Sequence, residues 1–365
     1  MKVPYSYLEE QFKNPNTILK DLKRLVKRGD FTLGKEVDRF EEQFANLANA
    51  RYAIGVSSGT AALYLSLQAC EVGYGDEVIT TPNTFFATVN AIVGVGARPV
   101  FVDVRDDYNI NPDLIETAIT PRTKAIMPVH LTGRPAAMNE IMNIAEKHDL
   151  YVIEDAAQSI DCYIKEKHVG NFGIAGGFSF HPLKNLNVWG DAGMIITNDY
   201  MIDKTLRELR NQGLKDRDTW TRYGNNLRIA SLQALVGNHL INDTVTLTNQ
   251  RITNAFFYDQ ELCDISQITI PTRLKHVREV FHIYVIQAER RDELLKYLQN
   301  AGIEARVHYP IPLHLQPAAS NLGYKKGDFP VTEQQAEKII SLPVHPYLRA
   351  EQKNYVVESI RSFYR

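Results

Sequence analysis

The chain has 365 residues, with 41 Lys+Arg against 43 Asp+Glu and a formal charge of -2 at pH 7. That balance gives no electrostatic case for nucleic acid or an anionic membrane surface, and leaves a small molecule as the default partner. A chain this long tends to divide, so two domains are expected.

The opening "MKVPYSYLEEQF" has neither the apolar core of a signal peptide nor an Arg/Ser-rich transit pattern, and no uninterrupted apolar run is long enough to span a bilayer. A cytoplasmic protein is expected. Cys70, Cys162 and Cys263 are odd in number and widely spaced, with no C-x-x-C, so neither a disulfide framework nor a metal site is indicated.

From about residue 50, apolar runs such as "RYAIGV", "EVIT", "RPVFVDV", "KAIMPVH" and "LYVIEDAA" alternate with helix-like segments such as "TAALYLSLQAC" and "MNEIMNIAEKH". The runs are rich in Val and Ile and lack strict polar alternation, the pattern of a buried parallel sheet in an α/β layer fold. "GFSF" and "GMIIT" continue the sheet, and helices follow near residues 200 to 211 and 229 to 245. After about residue 250 apolar runs become fewer, which predicts a large domain over 1–250 and a smaller α+β domain over 251–365.

Within "GVSSGTAALYLSL" a turn of small residues with Gly59 leads into a helix at Thr60 or Ala61, which taken alone reads as an ordinary capped βα turn and otherwise as an arrangement that offers unpaired N–H groups to an anion. No G-x-x-x-x-G-K-[ST] or G-x-G-x-x-G is present, which argues against nucleoside triphosphate and dinucleotide chemistry. "PNTFFATVN" supplies Phe85 and Phe86 at a helix start, either core residues or a cover for a planar ligand. In "LYVIEDAAQS" the strand ends on Glu154 and Asp155, at the sheet edge where ligands bind; Glu154 is read as a cap for a following helix, and Asp155 as a partner for a cation. "FSFHPLKNLNVWGDAG" places Lys184 among apolar residues, where leaving water would depress its pKa. An amine, a buried carboxylate and an anion cradle together are the needs of pyridoxal 5'-phosphate. "ARVHYPIPLH" gathers His308, Tyr309 and His314 with no carboxylate beside them, which favours substrate contact over metal ligation.

"SSGTAAL", "TPNTFFATVNAI", "IEDAAQ", "FSFHPLK", "GNNLRIASLQA" and "HYPIPLH", in this order and almost end to end, make the sequence resemble the DegT/DnrJ/EryC1/StrS family of sugar aminotransferases, fold type I of the pyridoxal-phosphate enzymes. The resemblance implies a mostly parallel seven-stranded sheet sandwiched by helices. It implies an internal aldimine at Lys184, Asp155 on the pyridine nitrogen, Gln158 on the ring 3'-oxygen and Phe85 over the ring. Gly59, Thr60 and Ser179 would hold the phosphate, and Asn226 would reach the phosphate of a neighbouring subunit, making a homodimer with shared sites. Arg228, His308, Tyr309 and His314 are the candidates for substrate contact.

The implied reaction is ping-pong transfer from L-glutamate or L-glutamine to a keto sugar, first of all a nucleotide-linked 3-keto or 4-keto deoxysugar. A keto sugar phosphate, a keto-inositol and a non-catalytic cofactor-binding regulator stay open as alternatives. Lys184 argues against relatives that dehydrate, which carry histidine there. Three stretches depart from the family pattern: Gln158 to Cys162, Gly190 to Gly193, and Asn225 before the motif asparagine.

Overall fold

The computed structural model describes all 365 residues. The alternation of apolar runs and helices becomes one sheet of seven strands: β1 (Tyr52–Val56), β2 (Glu77–Thr80), β3 (Arg98–Phe101), β4 (Thr123–Ile126), β5 (Tyr151–Asp155), β6 (Ala175–Ser179) and β7 (Gly193–Thr197). Their order is β1-β7-β6-β5-β4-β2-β3, and β7 alone runs against its neighbours. Burial on both faces is why the strands are mostly apolar: every residue of β2, β6 and β7 is buried.

The helix Gly59–Ala69 (α1) packs across β6 and begins on Ser58, whose Oγ accepts the Ala61 N–H at 3.1 Å. Helix and strand meet so closely that a Cβ on Gly177 would lie 2.9 Å from Leu63 Cδ2. The helix Phe86–Gly94 (α2) covers the neighbouring part of the sheet, and Ala91 and Ile92 join Leu63, Leu67 and Ile153 in a core cluster.

A second core is built on the helix Thr244–Leu262 (α3) and on a three-stranded antiparallel sheet of β8 (Ile268–Thr269), β9 (Tyr284–Ala288) and β10 (Ile339–Leu342). Tyr258, Tyr284, Leu298, Ile340 and Ile360 are fully buried there. Val3 joins this core, and its backbone pairs with that of Ile303. The helix α3 runs through the position at which the sequence pattern changes.

Glu154 corrects one sequence expectation. No helix follows β5, and the carboxylate is fully buried and turned to the loop after the hairpin Tyr163–His168. It accepts the N–H groups of Gly170, Phe172 and Gly173 at 2.6, 2.7 and 2.8 Å, and His130 Nε2 lies 2.9 Å away. His130 Nδ1 accepts the Ala136 N–H, so the ring proton sits on Nε2 and is donated to Glu154. Glu154→Ala would strand three amides and an imidazole in the interior, and is expected to cost about 3 to 5 kcal/mol in urea unfolding. A loss under about 1 kcal/mol would show that water replaces the carboxylate.

Candidate active site

Three strand ends and one helix start converge at the carboxyl edge of the sheet. Beyond β1 the chain turns through Ser57 and Ser58 into α1, whose first two amides, on Gly59 and Thr60, have no acceptor within the chain. Beside them stands Ser179, the last residue of β6, whose Oγ accepts the His181 N–H at 3.3 Å. A Cβ on Gly59 would come within 2.8 Å of Ser179 Cβ, so only glycine lets the helix start approach the strand end this closely. Thr60 is exposed on the rim. The result is a shallow anion cradle at the positive end of a helix.

Asp155 ends β5 and is buried. Its Oδ2 accepts the Thr88 hydroxyl at 2.7 Å and its Oδ1 the Ala157 N–H at 3.2 Å. Burial pushes its pKa up, against the pull of these two donors and of the Lys184 charge. Thr88 lies in the first turn of α2, and its role was hidden in sequence because a helical threonine carries no sign of a partner 67 positions away.

Lys184 sits in the loop between β6 and β7, half-buried. Burial lowers its pKa to about 8, and the Asp155 carboxylate opposes the shift. The loop is braced from a distance: the Tyr7 hydroxyl donates to the Lys184 carbonyl at 2.7 Å, and Gln11 and Asn187 exchange side-chain hydrogen bonds.

Gln158 follows Asp155 on the same edge. Its Oε1 accepts the Thr132 N–H at 2.7 Å, which aims the amide nitrogen at the Tyr309 hydroxyl, 3.4 Å away. Tyr309 also faces Phe85, with ring centroids 5.8 Å apart. Burial and the Asp155 charge push the Tyr309 phenol pKa up, so it is a hydrogen-bonding group and not a phenolate. Phe85 is 41% exposed and so stands open to a ligand, while Phe86 is stacked against it.

His308 bonds Ser341 Oγ through Nδ1 at 2.9 Å, and burial with the Arg306 and Lys184 charges lowers its pKa to about 4. His314 is set apart. It is buried, packs on Phe329 and reaches Glu333 at 3.0 Å, apart from the cluster around Gln158 and Tyr309. Arg228 runs beside Val56 and donates to Asn211 Oδ1 at 2.8 Å. Asn226 is exposed, and its side chain has no partner within the chain. Of the departures from the family pattern, Asp161 turns to Arg278 and Asn225 to Gln68, both away from Asp155.

These residues fit a planar phosphorylated aldehyde: two free amides and a hydroxyl for the phosphate, a buried carboxylate for a ring cation, and an amine with a depressed pKa. The comparisons agree. The model of the DegT/DnrJ/EryC1/StrS aminotransferase family matches residues 13–361. A Geobacillus stearothermophilus protein named "Pleiotropic regulatory protein" is 42% identical over 100% of this chain and 99% of its own length. The dTDP-3-amino-3,4,6-trideoxy-alpha-D-glucose transaminase of Streptomyces venezuelae is 36% identical over 93% of this chain and 90% of its own. The Bacillus subtilis NtdA crystal structure with bound cofactor PMP superposes with a TM-score of 0.92 at 31% identity, covering 99% of this chain and 85% of that one. No helix is long and apolar enough to cross a membrane. The chain belongs to the DegT/DnrJ/EryC1/StrS aminotransferase family.

Proposed function

We propose that the protein moves an amino group from L-glutamate or L-glutamine to the keto group of a nucleotide-linked deoxysugar, one half-reaction at a time, with pyridoxal phosphate as cofactor. The observation that carries this reading is the meeting, on one sheet edge, of an amine whose pKa is lowered to about 8 with a buried carboxylate and two unpaired helix-start amides. The nucleotide-linked substrate is supported by the dTDP-sugar transaminase among the relatives.

Bound on this edge, the cofactor supplies an aldehyde for amine exchange and a cationic ring that accepts electron density. Gly59, Thr60 and Ser179 would hold its phosphate, and Asp155 would hold the ring proton. Gln158 would bond the ring oxygen and Phe85 would cover the ring face. Lys184 Nζ, neutral in a large share of molecules near pH 8, would hold the cofactor through its aldehyde and, when the substrate amine takes its place, would take and return the substrate proton. Tyr309, His308 and Arg228 would position the sugar. A second copy of the chain would complete the site with Asn226, whose side chain is free; Trp220 and Tyr223 on the same loop are 58% and 85% exposed and supply apolar surface for that contact. We place the protein in the cytoplasm.

Two experiments bear on this. L-glutamate added alone to the cofactor-loaded protein is expected to discharge the visible absorbance of the lysine-bound cofactor, and a keto sugar to restore it. Retention of the absorbance with every amino donor would sink the reading and favour a non-catalytic regulator, in line with the name "Pleiotropic regulatory protein" of the Geobacillus relative. Capture of the cofactor by cofactor-free protein is expected to quicken about tenfold per pH unit up to about 8 and then level, because only the neutral amine reacts. An ordinary lysine would keep gaining to about pH 10.

A further inference from the structure

A cavity of about 60 Å³ adjoins the lysine loop through Leu183, and no carboxylate lines it. Its polar lining is cationic and imidazole-rich: Arg251, Arg306, His282, His308 and His345, together with Tyr5. Arg251 is 3% exposed, yet it has no ion pair; Nη1 alone reaches the carbonyls of Phe281 and His282, at a long 3.4 Å each, and the guanidinium lies over the Tyr7 ring. Arg306 also has no carboxylate and lies over the Tyr5 ring, but it is exposed to solvent, so the buried unpaired charge is that of Arg251 alone. Buried charges are normally paired, because taking a lone ion out of water costs several kcal/mol.

The polar atoms around the cavity are as incomplete as its charge. Tyr5 Oη, His282 Nδ1 and His345 Nδ1 are buried without a hydrogen-bond partner. His345 Nε2 donates to the Pro4 carbonyl, which leaves Nδ1 bare. Burial, together with positive neighbours, keeps all three imidazoles neutral: Arg251 acts on His345, Arg306 and Lys184 on His308, and Lys184 and Arg251 on His282. One negative ion would give the buried Arg251 guanidinium a counter-charge and the Tyr5 hydroxyl an acceptor, with Arg306 as a second cation; the bare Nδ1 of neutral His345 is itself an acceptor and is not answered by it. The volume suits a carboxylate, since about 10 to 15 Å³ of such space is enough for one water molecule.

We propose that this cavity binds a small carboxylate or comparable monoanion between Arg251 and Arg306, with the Tyr5 hydroxyl as a third donor. Two sources carry that chemistry: the carboxylate of the amino donor, an assignment that rests on the proposed aminotransfer, or a free ion from solution.

Titration calorimetry of the cofactor-loaded protein with sodium formate tests the site. Saturable binding is expected, weakened about tenfold to a hundredfold in Arg306→Gln and about twofold to tenfold in Tyr5→Phe. Both side chains lack partners that hold the fold, so neither variant should unfold. No saturable heat, or Arg306→Gln binding formate as the parent does, would overturn the proposal. Formate that raises the KM for L-glutamate without lowering kcat assigns the cavity to the donor, whereas binding without competition assigns it to a free ion. If formate binds but no amino acid discharges the cofactor absorbance, the aminotransferase reading fails and the anion site stands.

Discussion

Lys184→Ala is expected to lower kcat for amino transfer by at least about 10³-fold, because under the proposed function it removes both the amine that holds the cofactor and the base that moves the substrate proton. The cradle of Gly59, Thr60 and Ser179 is untouched, so the variant should still bind pyridoxal phosphate, without the visible absorbance of the lysine-bound form. Lys184→Arg separates two explanations. It keeps a cation opposite Asp155 but cannot supply a neutral amine, and it should be as inactive as the alanine variant. Activity within tenfold of the parent in either variant would mean that Lys184 only balances the charge of Asp155.

The second large effect is at Asp155. Asp155→Asn is expected to lower kcat by about 10² to 10⁴-fold, since an amide cannot stabilise a ring cation as a carboxylate does. The pH behaviour separates this from a packing defect. Burial raises the Asp155 pKa, so activity in the parent should fall on the acid side as the carboxylate takes up a proton. The asparagine variant should lack that limb. Stability should move the other way: a carboxyl whose folded pKa exceeds its unfolded value costs stability once the pH passes the unfolded value. At pH 7 the variant should therefore melt at or above the parent temperature, with Thr88 still donating to the amide oxygen. A variant that loses both stability and activity would make Asp155 a structural anchor.

Much of this was legible in the chain because it is local. Apolar runs of Val and Ile at regular spacing announce a buried sheet, and a strand, a Ser-Ser-Gly turn and a helix announce the anion cradle, since each needs only neighbours in sequence. Glu154 was misread because its partners come from two other segments, His130 and the loop at Gly170 to Gly173. His314 and Tyr309 lie in one proline-stiffened stretch, yet a short turn at Leu313–Leu315 carries the histidine to Phe329 and Glu333 while the tyrosine stays with Gln158. The reversal of β7 left no trace either, because a strand buried on both faces has the same composition whichever way it runs. The cavity around Arg251 was hidden for the same reason as Glu154: its walls come from the first residues, from the lysine loop, from α3 and from the segments next to β9 and β10.

The brace on the lysine loop also has a meaning in time. Tyr7 holds the Lys184 carbonyl, while the carbonyls of Lys2 and Pro4 are held by Gln352 and His345, near the far end of the chain. During synthesis the residues around Tyr7 leave the ribosome first, but the groups that seat them leave last. The sheet can assemble as it emerges, whereas the segment that steadies the reactive amine must wait, loose, for nearly the whole chain to be made. A nascent chain halted before His345 would thus carry a formed cradle and an unsteadied lysine, and catalytic competence would arrive as a late, single event.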